Sequence, residues 1–223
     1  MEDLINKNNV DAKNQVLGDE DTFVLGDVKN CGLKVAVLGN SITRHAKKEE
    51  IGWFRTCGMA ASDEAHDYVH VLFSMFVSDG RTPCFLVKQA SEWECNYRTF
   101  GYGSALQDVA AFRPDVLVFR LGENVKCDDS EELERYIIEL VRSVTVPDTK
   151  VVLSTCFWQS ATIDKAIRNA GRALNANIAE LNDLGRRADM RADGLFAHRG
   201  VALHPCDKGM KNIAERIYSA IKG

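Results

Sequence analysis

The stretch Leu33-Lys34-Val35-Ala36-Val37-Leu38-Gly39-Asn40-Ser41-Ile42-Thr43 decides the fold. Its first six residues are apolar apart from Lys34, too few for a stable helix and rich in strand-forming side chains, and they run straight into a Gly-Asn-Ser turn. That reads as a strand buried on both faces and ending abruptly. Three later runs repeat the pattern: Cys84 to Lys88 (CFLVK), Val116 to Leu121 (VLVFRL) and Lys150 to Ser154 (KVVLS).

The segments between these runs have helical spacing. Ser62 can cap a helix with Ala65, Val69, Leu72, Phe73 and Phe76 on one face, stopping near Asp79-Gly80. A capping box, Asp129-Ser130-Glu131-Glu132, opens a second helix carrying Leu133, Tyr136, Ile137, Leu140, Val141 and Val144. Ile163, Ile167, Ala170, Leu174, Ile178 and Leu181 predict a third helix over about 161–183. Met210, Ile213, Ala214, Ile217 and Ile221 predict a last one over about 208–221, with Asp207 as its cap. Buried strands alternating with amphipathic helices imply parallel strands and crossover helices. The expected fold is therefore a three-layer α/β/α sandwich with a mainly parallel central sheet, formed as a single domain by residues 33–223. Residues 1–32 are polar apart from the short run Thr22-Phe23-Val24-Leu25 and read as an N-terminal extension that packs as an arm or a peripheral strand. No internal repeat or low-complexity segment interrupts the pattern.

Composition narrows the function. With 223 residues, 45% of them hydrophobic and 27% charged, the chain can build a core without staples. A net charge of -4 and a pI near 5.8 argue against a broad nucleic-acid-binding face. No apolar run reaches the roughly 18 residues of a membrane span, and the N-terminus lacks the apolar segment of a signal peptide. The seven cysteines, at 31, 57, 84, 95, 127, 156 and 206, are scattered singly with no C-x-x-C pair, which reads as reduced thiols. The expectation is a cytoplasmic protein, with a leader removed before Met1 as the exception. No feature indicates an oligomeric state.

In open parallel sheets, functional groups gather beyond the carboxyl ends of the strands. Three such places carry chemistry here. The first strand delivers Ser41 on a tight turn after Gly39-Asn40, the third delivers Gly122-Glu123-Asn124, and His204 stands in Leu203-His204-Pro205 just before the last helix. A serine hydroxyl attacks a carbonyl only when a base takes its proton, and the tetrahedral oxyanion needs preorganised donors. Ser41, His204 and the Asn124 amide are the minimum set for acyl transfer. His66 and His70, four apart on one helix, have a metal-binding spacing but no Glu after the first His, and read as a solvated face.

On these blocks the chain resembles the SGNH, or GDSL-type, hydrolases, over residues 34 to 221. Gly39-Asn40-Ser41-Ile42-Thr43 is similar to the family's nucleophile block, with Asn40 in place of the usual aspartate. Gly122-Glu123-Asn124 is similar to the asparagine block, and His204-Pro205 to the histidine block. The resemblance implies a carboxylic ester hydrolase of small-molecule esters, with small acyl groups, such as acetyl groups on carbohydrate, as a candidate substrate class. It implies Ser41 as nucleophile, His204 as base, and an oxyanion hole from the Ser41 N–H and the Asn124 amide, with no metal or organic cofactor.

Two departures stand out. The family usually carries an aspartate three residues before its histidine, and Val201 stands there. A backbone carbonyl from the Val201 region, or a carboxylate from Glu123, Asp193 or Asp207, is then needed to orient the imidazole. The family's glycine after the second strand is also missing, leaving the N–H of Ala90 or Ser91 as the candidate second oxyanion donor. His45 and His198 are candidate pocket residues, as are Asn40, Ser91, Trp53 and Trp93, the two tryptophans because each falls in an expected loop beside the site. Two rivals share this sheet architecture: a non-catalytic binding module, suggested by the missing aspartate, and a flavodoxin-like nucleotide or flavin binder, disfavoured by the absence of a phosphate-loop glycine run.

Overall fold

A computed structural model describes residues 21–223, and residues 1–20 of the expected extension lie outside the described residues. Six strands form one sheet in the order β1-β3-β2-β4-β5-β6. They are β1 (Thr22–Leu25), β2 (Leu33–Gly39), β3 (Pro83–Gln89), β4 (Val116–Arg120), β5 (Lys150–Ser154) and β6 (Asn177–Ala179). All pair in parallel except β1, which closes one edge antiparallel to β3. Helices α1 (Tyr68–Ser78), α2 (Ser91–Asn96), α3 (Gln107–Phe112), α4 (Ser130–Val144), α5 (Ala161–Leu174) and α6 (Asp207–Lys222) flank it.

The strand alternation sorts the layers. Val35 and Val37 of β2 point into one core with Leu72 and Phe76 of α1 and Ile213 and Ile217 of α6. Ala36 and Leu38 point into the other, with Trp93 of α2, Val109 of α3, Leu133 and Ile137 of α4 and Ile163 and Ile167 of α5. Both faces of the central strands are thus covered, which is why they read as continuous apolar runs. Asp129 caps α4 by accepting from the Glu131 and Glu132 N–H groups, 2.9 and 3.1 Å.

Several expectations are corrected. The helix over about 161–183 stops at Leu174, because Asn175 turns left-handed (φ 51°) and returns its N–H to the Arg172 and Gly171 carbonyls. The chain then enters β6, whose short length let Ile178 fall in apparent helical register. Helix α1 is capped by the Asp67 carboxylate, which accepts from His70 N–H at 2.9 Å, rather than by Ser62. Asp207 is the first residue of α6 and not its side-chain cap; its carboxylate accepts from the Ser62 N–H instead. Trp93, expected in a loop, lies fully buried on α2. Cys31 and Cys84 form a disulfide with Cα atoms 5.6 Å apart, so reduced thiols do not describe this pair.

The end of β2 is where the fold meets the site. A Cβ on Gly39 would lie 1.7 Å from Thr43 Oγ1, whose hydroxyl is hydrogen-bonded to the Tyr68 hydroxyl at 2.7 Å. The side chain of Thr43 crosses back over the strand end and leaves room only for glycine. Gly39→Ala should therefore cost about 1–3 kcal/mol by forcing Thr43 off Tyr68. The urea midpoint would fall relative to the wild type, with an unchanged denaturant slope.

Candidate active site

Ser41 stands on the turn after β2, held by two backbone bonds: Thr43 N–H to the Asn40 carbonyl at 2.9 Å and Met59 N–H to the Ser41 carbonyl at 2.9 Å. Its Oγ lies 2.9 Å from His204 Nε2. The other ring nitrogen, Nδ1, lies 2.6 Å from the Gly200 carbonyl oxygen. A carbonyl only accepts, so Nδ1 carries the proton and Nε2 is left as the acceptor for the serine hydroxyl. The imidazole is further packed against the Trp158 ring, edge to face, at 5.2 Å between centroids.

None of the three candidate carboxylates orients this imidazole. Asp193 pairs with Arg191 at 2.9 Å and Asp207 accepts from Ser62 N–H at 2.8 Å. Glu123 forks onto Arg120, 2.7 and 2.6 Å, and also accepts from Asn40 Nδ2 (2.7 Å) and Phe157 N–H (2.8 Å). Burial drives the His204 pKa down to about 4, against smaller upward contributions from the Gly200 carbonyl and the Glu123 charge. His45 is buried beside the site, lies 2.6 Å through Nδ1 from the Ala46 carbonyl, and is likewise lowered by burial to about 4.

Ser41, Asn124 and His204 line one cavity of about 280 Å³ together with Glu123, His45 and His198. Ile51, Met59, Trp158, Val201 and Leu203 supply apolar walls. Other candidate pocket residues lie elsewhere. Trp53 is buried and donates through Nε1 to the His45 carbonyl at 3.1 Å, bracing the wall from behind. Trp93 packs on Phe119 in the core. Asn40 is buried under the cavity with its amide between two carboxylates. Neither candidate second donor is free: Ala90 N–H bonds the Gly39 carbonyl at 2.7 Å and Ser91 N–H bonds the Gln89 side chain at 2.7 Å. The Ser41 N–H has no acceptor among the described residues.

The sequence reading missed two charged residues under this cavity. Arg120, at the carboxyl end of a strand apolar on both sides, has a fully buried side chain paired to Glu123. A lone arginine closing an apolar strand was the signal, since a buried guanidinium requires a carboxylate. Glu94, on α2, is fully buried and accepts from Gly122 N–H (2.6 Å), Asn40 Nδ2 (3.0 Å) and Asn124 Nδ2 (2.6 Å). Burial, then the nearby Glu123 charge, push Glu94 above the ordinary carboxylate range. Glu123 is itself opposed by burial, but the Arg120 guanidinium outweighs that and holds it below the range. Gly122 sits at φ 147°, and a Cβ there would come within 2.8 Å of Cys156 Sγ, so only glycine lets the β4 loop turn toward Glu94.

No family model and no curated protein matches the sequence. Solved structures do match in fold. A protein provisionally assigned as a GDSL-like lipase from Parabacteroides merdae superposes with a TM-score of 0.55 at 17% identity, over 85% of this chain and 95% of that one. The psychrotrophic esterase EstA from Pseudoalteromonas sp., in a form inhibited by monoethylphosphonate, superposes with a TM-score of 0.54 at 14% identity, over 85% and 96%. The fold is that of the SGNH, or GDSL-type, hydrolases. LAE5, an alpha/beta hydrolase enzyme from the metagenome of Lake Arreo, matches with a TM-score of 0.55 at 17% identity over 86% and 96%. In this SGNH fold the three blocks lie on loops at one sheet edge. Among the described residues there is no helix long and apolar enough to cross a membrane, and no group of three or more ligating side chains that could hold a metal. His66 and His70 pair with Asp63 and Asp67.

The lowered His204 pKa gives a direct expectation. In a proton NMR titration, the His204 Hε1 resonance should move with a midpoint near pH 4, and the ring should be neutral at pH 7. A midpoint near the ordinary value of about 6.5 would contradict the burial argument.

Proposed function

We propose that the protein is a serine carboxylic ester hydrolase acting through an acyl-enzyme on Ser41. The observation that carries the reading is the Ser41 Oγ to His204 Nε2 distance of 2.9 Å, with the tautomer set by Gly200 and both groups open to one cavity. His204 takes the hydroxyl proton as Ser41 Oγ attacks the ester carbonyl. The oxyanion is met by the Ser41 N–H, which has no other acceptor among the described residues, and by the Asn124 amide. Nε2 then protonates the leaving alkoxide, and water, activated by the same nitrogen, releases the acid.

This is a dyad held by a carbonyl rather than a carboxylate-supported triad. A neutral imidazole is ready to accept a proton at pH 7, which supports the base role. The acyl group proposed is a short one, acetyl first, seated against Ile51, Met59, Val201 and Leu203. Trp158, half-buried at the same cavity, is the surface a carbohydrate ring would meet in an O-acetylated sugar substrate. The substrate is a small-molecule ester, and the reaction requires no metal or organic cofactor.

Two measurements test the reading together. The wild type should turn over a chromogenic acetyl ester and gain one phosphonyl group on Ser41 with a serine-directed phosphonate. Ser41→Ala should abolish labelling, and both Ser41→Ala and His204→Ala should lose roughly 10³-fold or more in kcat. Neither turnover nor labelling in the wild type would instead favour a binding module on this fold.

A further inference from the structure

Two buried carboxylates share the floor of the site, and one cation serves them. Arg120 forks onto Glu123, leaving Glu94 held by N–H donors: Gly122 N–H and Asn40 Nδ2 on Oε1, Asn124 Nδ2 on Oε2, and a longer contact from Asn124 N–H at 3.4 Å. Burying an ionised carboxylate without a cation costs several kcal/mol, and hydrophobic packing on α2 would be served equally well by an apolar side chain. The charge also has the wrong sign to stabilise an oxyanion forming nearby. Glu94 therefore acts through geometry.

The geometry points to Glu94 as the positioning residue of the oxyanion loop: its carboxylate grips the Gly122 N–H and one amide proton of Asn124, turning the second amide proton toward Ser41. This rests on the ester-hydrolase reading. Every hydrogen-bond partner of Glu94 among the described residues is a donor, so only the ionised form satisfies both oxygens. A proton on Oε2 would set O–H against the Asn124 N–H. In Glu94→Gln the side chain keeps its volume, but its NH2 faces Asn124, whose amide must rotate and carry its donor away from the cavity.

The ionisation of Glu94 can be followed through Asn124. The Glu123 charge acts on Glu94, and the Glu94 charge acts in turn on the Cys156 thiol. Arg120 holds Glu123 ionised, while burial, followed by the Glu123 and Asp164 charges, raises the Cys156 thiol well above its usual range. Tyr68 is also raised by burial, against a smaller lowering by the Arg120 charge, and His204 titrates lower. Glu94 is thus the group in this cluster that changes charge between the ordinary carboxylate range and neutrality.

The test uses the full chain, with the Asn124 side-chain amide assigned in ¹⁵N spectra by its absence from Asn124→Ala. One of its protons should lie well downfield, titrate above the ordinary carboxylate range, and lose both features in Glu94→Gln. With an acetyl ester, Glu94→Gln should lower kcat roughly 10²-fold with little change in KM. The double variant with Asn124→Ala should be no slower than Asn124→Ala alone. An amide resonance unchanged in Glu94→Gln, or kcat losses that multiply in the double variant, would overturn the assignment. If Glu94→Gln does not fold, the wild-type amide decides, and indifference to pH through that range overturns it. Loss of the hydrolase reading shows separately, as a wild type without Ser41 labelling, whereas the amide spectrum reports the Glu94 contact regardless of turnover.

Discussion

The Arg120 guanidinium sits at the carboxyl end of β4 with its side chain 0% exposed, and Glu123, three residues on, is 3% exposed against it. Neither could be buried alone, since removing one partner of such a pair typically costs about 3–5 kcal/mol. Each oxygen of Glu123 does a second job. One accepts from Asn40, beside Ser41 after β2, and the other from Phe157 N–H after β5. Glu94 extends the same network to α2 after β3. The loops that follow β2, β3, β4 and β5 are thereby tied to two carboxylates at one sheet edge. This polar knot, rather than the apolar walls of the cavity, fixes where the Ser41 and Asn124 turns stand relative to each other.

His204 arrives from a different direction. It precedes α6, outside the carboxylate network, and its position depends on the single helical turn Arg199–Ala202 that presents the Gly200 carbonyl. The buried Val201 of that turn fills the place where a triad acid would be expected and packs in the core. An apolar residue there anchors the turn, and the turn then offers backbone in place of a carboxylate. The sequence shows the missing aspartate plainly, while the replacement depends on backbone geometry that no side-chain pattern reports.

The layers were legible because β2 to β5 are covered on both faces and the amphipathic helices keep a clean stripe, as in α4 with its Asp129 cap. The last edge was not. β6 is three residues long, and Ile178 follows Leu174 at a spacing that either a continuing helix or a short strand satisfies. The Ser41, Asn124 and His204 blocks were legible as positions, because each sits at the end of an apolar run or before a helix. Trp53 and Trp93 misled for the same reason: proximity in sequence to the right strand ends says nothing about which way a ring turns. Glu94 was hidden by its setting in Ser91-Glu92-Trp93-Glu94-Cys95-Asn96, where two acidic residues look alike and only the fold buries the second.

A carbonyl-held imidazole has an electrostatic consequence for the proposed chemistry. As His204 takes the serine proton it becomes an imidazolium in a desolvated site, and the Gly200 carbonyl supplies a dipole where a triad acid would supply a full charge. Burial, the largest cause of the low pKa, is therefore offset only in part by that dipole. Glu123 is the carboxylate that lines the same cavity and favours the charged ring, acting through space while its oxygens remain committed to Arg120, Asn40 and Phe157. Its charge is largely neutralised by Arg120, so the support it gives is small. What such a dyad lacks is base strength, since a poorly stabilised imidazolium gives its proton up readily, and an ester carbonyl, more easily attacked than an amide, demands less of that base.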